Sequence, residues 1–227
     1  MKTKRVSGVS VLRRASPDLR RRVVDAATAL FLGRGFARVT AADIAAELGI
    51  SKATLYKAFA SKEEILKAVV RGMRAGIAAR VTSLVRDPSL GFVEKMVGLL
   101  SFLAAQMARL EPVFVRDLQR SAPAVWAEID DFRKDMISQN LRPILEAGRR
   151  EGFFRADVDP ELLVGMFLSL VRDFINPAAV VRSGRSPAAT FEAIIKVFFQ
   201  GILTDKGRLD FASRTPALFE PRKEGAL

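Results

Sequence analysis

The chain of 227 residues contains no cysteine and no histidine. Without cysteine it can form neither a disulfide nor a thiolate metal site. Without histidine it lacks the commonest general base, the partner in Ser–His and Cys–His nucleophile pairs, and the ligand of most zinc and iron sites. These absences still allow chemistry that needs only carboxylates, but they remove most other catalytic and metal sites. We therefore expect no metal, no cofactor and no enzymatic activity.

Long hydrophobic runs are missing as well. Uncharged apolar stretches such as residues 162–171 are far shorter than the roughly 20 residues that span a bilayer. The basic start of the chain is followed by a segment that Ser7, Gly8 and Ser10 interrupt, so it does not resemble an export signal. These features predict a cytoplasmic protein with no membrane partner.

Acidic residues are scarce in the first third of the chain. Residues 1–80 carry 17 of the 37 lysines and arginines but only 6 of the 25 acidic residues, whereas the remainder is nearly neutral. A basic segment of this kind indicates contact with a polyanion, and we favour nucleic acid over a merely solvated basic face.

The spacing of apolar residues predicts an all-α protein, because the β-branched residues fall inside helical periods and no strand is indicated. Ser16-Pro17 opens the first helix, and Ser61 opens a fourth, with Glu64 completing a capping box. Proline and glycine breaks then delimit five longer helices, at about 88–109, 111–120, 123–151, 159–177 and 187–204.

Between the first and fourth helices, residues 39–59 (VTAADIAAELGISKATLYKAF) have the layout of a helix-turn-helix. Thr40 and Ser51 each precede a short helix as N-caps. Gly49 lies between the two helices, where a left-handed turn residue is needed.

The second helix of this segment presents a polar surface that contains no acidic residue. When Leu55 and Phe59 face inward, their neighbours turn outward with hydroxyls, two cations and an aromatic ring. Such a surface can enter a major groove, while helix N-termini and a lysine in the first turn of the fourth helix can meet phosphates. The residues predicted to contact DNA are Thr40, Ser51, Lys52, Ala53, Thr54, Tyr56, Lys57 and Lys62.

This stretch resembles the DNA-binding domain of TetR-family regulators over roughly residues 17–70. The resemblance implies that the third helix reads operator DNA, with Thr54, Tyr56 and Lys57 among the contacts and Lys62 on the DNA backbone. The chain departs from the family pattern at Ala58, where many members carry histidine. The matching residues are Phe31, Gly35, Phe36, Thr40, Asp43, Ile44, Ala45, Leu48, Gly49, Ile50, Ser51, Thr54, Leu55, Tyr56, Phe59, Ser61, Lys62, Glu63 and Leu66.

Two helices near the C-terminus, at 159–177 and 187–204, are apolar nearly all round. A helix without a polar face must be covered on both sides, so one side of each is left for a second copy of the chain. The TetR resemblance implies the same, a four-helix bundle between two subunits. Arg172, Asp173 and the short run count against a lipid-facing role. The predicted interface comprises Leu163, Phe167, Leu170, Phe174, Phe191, Ile195, Phe198 and Ile202.

The middle of the chain is rich in aromatic and methionine side chains. The family resemblance implies an effector cavity among these helices, and such a lining would suit a mainly apolar ligand; plain core packing is the alternative for each residue. Arg172 could meet an anionic effector group, although a protein carboxylate or the dimer rim is the simpler partner. The candidate effector residues are Phe102, Met107, Phe114, Trp126, Phe132, Met136, Phe167 and Arg172.

Together these patterns predict about nine helices in two domains. Residues 1–15 form a basic arm, residues 16–62 a three-helix DNA-binding domain, and residues 63–204 a larger ligand-binding and dimerisation domain, before a loosely ordered tail at 205–227. The leading interpretation is a homodimeric, sequence-specific repressor that a small, mainly apolar effector releases from operator DNA. The alternatives are a non-specific architectural DNA-binding protein without an effector, and an enzyme whose basic segment holds an anionic substrate.

Overall fold

A computed structural model of the chain describes residues 16–214, and the predicted basic arm at 1–15 lies outside them. The described residues confirm the all-α fold but form eleven helices, two more than predicted. These are α1 (Pro17–Arg34), α2 (Ala41–Glu47), α3 (Lys52–Ala58), α4 (Lys62–Arg86), α5 (Phe92–Ala108), α6 (Pro112–Ser121), α7 (Pro123–Arg150), α8 (Pro160–Phe174), α9 (Pro177–Ser183), α10 (Pro187–Ile202) and α11 (Asp205–Arg214).

Each of the first four helices begins at the predicted cap, where a hydroxyl oxygen accepts a backbone N–H of the first turn. Thr40 and Asp43 form a complete capping box. The predicted box at the start of α4 differs in one bond, because the Glu64 carboxylate accepts from the N–H of Ala60 (3.0 Å), one residue before the cap.

Two hydrophobic cores follow one another along the molecule. The first joins α1, α2, α3 and the beginning of α4, and it is completed by side chains of α6 and the start of α7. The second joins the end of α4 to α5, the end of α7, α8 and α10. Both α4 and α7 contribute to the two cores. The first core therefore includes residues that follow residue 62, where the sequence places the end of the first domain.

The two unpredicted helices lie at the ends of predicted elements. The helix predicted at 159–177 stops at Phe174, and α9 begins after Asn176, whose Oδ1 accepts from the N–H of Ala179 (2.8 Å). The start of the predicted tail is α11, which Phe211 anchors by burying its ring in the second core. The rest of the tail lies outside the described residues.

No single helix in the described part of the chain is long and apolar enough to cross a membrane. Two bent pairs reach the required length and apolarity only when they are taken together. They are α5 with α6, bent by 71°, and α8 with α9, bent by 65°.

Candidate DNA-binding surface and ligand cavity

The turn between α2 and α3 is closed by backbone hydrogen bonds around one glycine. Gly49 has φ of +63°, the left-handed conformation that the sequence required there. Its N–H donates to the carbonyl of Ala46 (3.1 Å), and the N–H of Ile50 donates to that of Ala45 (2.9 Å). These bonds satisfy carbonyls at the end of α2 and set the angle at which α3 leaves.

The outer face of α3 carries the side chains predicted to meet DNA. Leu55 is fully buried beneath the helix, whereas Tyr56 is 49% exposed. Lys52, Ala53 and Lys57 are exposed as well, and Thr54 is half-buried. The structure therefore brings an aromatic ring, two cations and small side chains together on one acid-free helical surface that can enter a major groove.

The hydroxyls of Thr40 and Ser51 serve as caps in the protein. Thr40 Oγ1 donates to the carboxylate of Asp43 (2.7 Å), and the hydrogen bonds from Thr40 hold the pKa of Asp43 below its usual range. Ser51 Oγ accepts from the N–H of Thr54 (3.1 Å) and lies 2.9 Å from its hydroxyl. A phosphate that approached either residue would share a hydroxyl already used for capping.

Lys62, which the sequence predicts to contact the DNA backbone, makes three contacts inside the domain. Its Nζ donates to the carbonyls of Phe36 (3.0 Å) and Val39 (3.1 Å) and lies 4.3 Å from the centre of the Phe36 ring. The ammonium thus fastens the start of α4 to the turn between α1 and α2.

A second internal cation, Arg20 of α1, holds the end of α3. Its guanidinium donates to the carbonyl of Ala58 and lies 4.0 Å from the centre of the Phe59 ring. A cation at this position also compensates the partial negative charge at a helix C-terminus. Helical periodicity gave no sign of this contact, because it joins residues 38 positions apart.

The second domain contains an apolar cavity of about 220 Å³ between α4, α5, α6, α7, α8 and α10. Two of the predicted effector residues do not line it. Phe102 only packs against the second core, and Arg172 is exposed, with its Nε donating to Asp173 (2.9 Å). The predicted residues that do line it are Met107, Phe114, Trp126, Phe132, Met136 and Phe167.

Three polar side chains, Arg74, Arg133 and Asn140, interrupt the apolar lining, and sequence reasoning missed all three. Burial lowers the pKa of Arg133 from its ordinary value, with Asp130 opposing that shift. A signal was present, since Arg133 stands between Ile129 and Ile137 at intervals of four on the apolar stripe of α7. Among residues 16–214 no group of acidic side chains is arranged to hold a metal ion.

The predicted dimer interface needs correction. Six of its eight residues are buried within a single subunit, because they form the inner faces of α8 and α10 in the second core. Only Phe174, which is 55% exposed, and the half-buried Leu170 can reach a partner. The buried six are Leu163, Phe167, Phe191, Ile195, Phe198 and Ile202.

The short helix α6 belongs to both halves of the molecule. Phe114 and Leu118 line the cavity and are members of the first core. On the same helix the buried Asp117 accepts a hydrogen bond from the N–H of Ala37 (2.9 Å), in the turn that precedes α2. A ligand that displaced α6 would therefore also change the position of the helices that carry the DNA-binding surface.

Comparison with known sequences places these features in context. Residues 23–69 match the family of bacterial regulatory proteins, tetR family. The HTH-type transcriptional repressor KstR2 of Mycobacterium tuberculosis is 33% identical over 145 residues, which cover 62% of this chain and 72% of KstR2. YvaF of Bacillus subtilis, an uncharacterised HTH-type transcriptional regulator, is 27% identical over 76% of this chain and 90% of its own length.

Solved structures share the same fold. The ketosteroid transcriptional regulator KstR2 of Mycobacterium tuberculosis superposes with a TM-score of 0.52 at 25% identity, over 86% of this chain and all of that one. A TetR-family regulator from Agrobacterium tumefaciens gives a TM-score of 0.62 at 19% identity, over 83% of this chain and all of that one.

Proposed function

This chain belongs to the TetR family of DNA-binding transcriptional regulators, and we propose that it is a homodimeric repressor. A mainly apolar effector that binds in the cavity lowers its affinity for operator DNA. The observation that carries the proposal is the outer face of α3, where Tyr56 and Lys57 stand exposed over a fully buried Leu55. The regulator acts in the cytoplasm, where the DNA lies, and has no catalytic role.

An exposed apolar surface supports the dimer. On α8, Leu162 (57% exposed), Met166 and Phe174 lie on one side of the helix at multiples of four residues. On α10, Val197 is 73% exposed, and the small residues Ala193 and Gly201 flank it at intervals of four. Large apolar side chains concentrated on two neighbouring helices are typical of a protein–protein interface. The outward faces of α8 and α10, rather than the inner faces predicted from the sequence, are the surface that a second copy would cover.

The cavity and α6 support regulation by a ligand. The cavity has the apolar character of a small-molecule site, and its wall includes Phe114 and Leu118 of α6, which are also members of the first core. A ligand that favours one position of α6 would shift the separation of the two α3 helices in the dimer, and with it the affinity for two half-sites. An architectural DNA-binding protein would need no such cavity.

The test begins with selection of bound duplexes from random DNA, followed by fluorescence anisotropy with the selected duplex. We expect Tyr56→Ala and Lys57→Ala each to weaken specific binding by about tenfold or more, because each base-edge or phosphate contact contributes about 1–3 kcal/mol. Helicity, measured by circular dichroism, should not change.

Lys67→Ala is the matched control, since it removes one exposed positive charge from α4 without touching α3. Its specific affinity should stay near that of the wild type. The proposed function would be refuted if both α3 variants bound the selected duplex as tightly as the wild type, or if the selection enriched no sequence.

A further inference from the structure

We propose that the ligand of the cavity is an elongated apolar molecule with one anionic group, and that Arg133 binds this group. The inference rests on the proposed function in taking the cavity as the effector site. It goes further in assigning the chemistry of the ligand and the residue that selects it. The candidate cation from the sequence, Arg172, lies outside the cavity on an exposed surface.

Arg133 is a cation whose partners in the protein leave most of its donors unused. Its Nη1 donates to the carbonyl of Ile175 (3.1 Å) and forms a long ion pair with Asp130 (3.6 Å), and within residues 16–214 these contacts leave the donors on Nε and Nη2 for a ligand. The side chain is only 22% exposed. A buried guanidinium is stable when charge and hydrogen bonds compensate it, and an anionic group in the cavity would supply both.

A second cation, on another helix, also lines the cavity. Arg74 of α4 lines the cavity with Arg133 of α7, and its nearest carboxylate, that of Glu128, is also 3.6 Å away. Each arginine lies over an aromatic ring of α7, Arg74 over Phe132 at 4.9 Å and Arg133 over Trp126 at 5.5 Å. A guanidinium that lies over an aromatic ring, with its carboxylate partner as far as 3.6 Å away, can still bind a planar carboxylate or similar anion.

The far part of the cavity is apolar. Along α4 the lining continues from Arg74 to Ile77 and Val81, and along α7 it passes from Arg133 beyond Asn140 to Leu141 and Ile144. Its end lies among side chains of the second core, contributed by α5, α8 and α10. A ligand that reaches both regions is therefore amphipathic, with its anionic group toward the first core and its apolar chain in the second.

The wild-type protein provides the first measurement, since its single tryptophan, Trp126, lines the cavity beside Arg133. We would titrate tryptophan fluorescence with sodium dodecanoate, dodecan-1-ol and dodecyltrimethylammonium, each below its micelle concentration. Dodecanoate should bind more tightly than the alcohol by about tenfold or more, because its carboxylate forms charge-assisted hydrogen bonds with the guanidinium, which are stronger than the neutral one that the alcohol forms. The ammonium compound should bind weakest.

Two substitutions test the assigned residue. Arg133→Met keeps an unbranched apolar stem in place of the arginine side chain but removes the guanidinium and its charge, so the preference for dodecanoate over dodecanol should fall to about one- to threefold. Arg133→Lys should keep part of the preference. The control, Arg172→Met, removes an exposed arginine and should retain the full wild-type preference.

The inference is overturned if the wild type binds dodecanol as tightly as dodecanoate, if no probe binds, or if the preference survives in Arg133→Met. Because the readout is a ratio within one protein, a variant of lowered stability still reports, and Arg133→Lys reports if Arg133→Met does not fold. A second measurement, dodecanoate added to the protein–DNA complex, separates the two proposals. An Arg133-dependent preference without DNA release supports the anionic ligand and refutes its action as an effector.

Discussion

Lysine and arginine side chains near α3 have two different functions. Lys52 and Lys57 project into solvent, whereas Lys62 and Arg20 are bound to backbone carbonyls and aromatic rings within the domain. Basic composition alone does not separate these groups, because both raise the net charge equally. Under the proposed function the first group is free to meet DNA, whereas the second holds the surface in place.

The division gives a prediction for Lys62. Lys62→Ala should lower the free energy of unfolding by about 1.5–3 kcal/mol, because it leaves two carbonyl acceptors without a charged donor. Chemical denaturation measures this loss. In Lys57→Ala stability should be unchanged, but the slope of log affinity against log salt should fall by about 1. If Lys62→Ala instead lowered the salt slope and left the free energy of unfolding unchanged, Lys62 would bind phosphate in the complex and not the two carbonyls.

At this scale the sequence predicted the direction of the α3 side chains but not their distant partners. Leu55 fixed one face of α3, and its burial turns Tyr56 and Lys57 outward as expected. Arg20 was missed because its contact joins residues far apart in the chain, whereas the position of Arg133 on the apolar stripe of α7 was a local signal that did not identify its partner Ile175. Periodicity reports which face a residue occupies, and it does not report what packs against that face.

At the scale of elements, two turns of the DNA-binding domain depend on glycine for different reasons. Gly49, between α2 and α3, has φ of +63° and open space around the position of a Cβ atom. Gly35, at the end of α1, has φ of +85°, and a Cβ there would lie 2.6 Å from Asp117 Oδ2 and 2.9 Å from Val113. The first turn needs only the backbone conformation, and the second also needs the absence of a side chain.

Alanine substitution at the two positions should separate these requirements. Gly49→Ala should cost about 1 kcal/mol of unfolding free energy, the penalty of the left-handed conformation. Gly35→Ala should cost more than about 2 kcal/mol, because the new methyl group would also displace α6. Denaturant titration of both variants measures the difference. Equal losses would mean that α6 yields freely at its contact with α1.

Element starts were more predictable than element ends. Ser16, Thr40, Ser51 and Ser61 all became caps, since a hydroxyl before a helix is a local signal. The break after Phe174 was missed although Asn176-Pro177 is a start signal of the same type, because the apolar run obscured it. The helix α11 was missed because its sequence has little apolar periodicity, and it is held by distant contacts such as the burial of Phe211 and the hydrogen bond from Lys206 Nζ to the carbonyl of Glu151 (2.7 Å).

At the scale of the whole molecule, the inner and outer faces of α8 and α10 divide the apolar residues between two tasks. The inner faces complete the second core, and the outer faces leave Leu162, Met166, Phe174 and Val197 in solvent. The sequence showed that both sides must be covered, yet it could not tell which side faces the partner. That choice depends on how α5 and α7 pack against them.

The outer face predicts the effect of a buried charge on assembly. Phe174→Glu should convert the dimer to monomers and abolish tight binding to a two-half-site duplex, because an unpaired carboxylate cannot be buried in an apolar interface. Sedimentation velocity measures the assembly. Leu209→Glu is the control, since Leu209 is 73% exposed on α11. A dimeric Phe174→Glu protein would place the interface elsewhere.

The contribution of α6 and α7 to the first core also limits how such a regulator can be recombined. Phe114, Leu118 and Val125 close that core although they follow α4 and α5 in the chain. A gene fusion that joined the DNA-binding helices to the ligand-binding domain of another protein at residue 62 would leave the first core exposed on one side. It would also lose the hydrogen bond between Asp117 and Ala37. Chimeras, whether engineered or natural, should therefore retain their specificity for DNA only when α6 and the start of α7 come from the same protein as the DNA-binding helices.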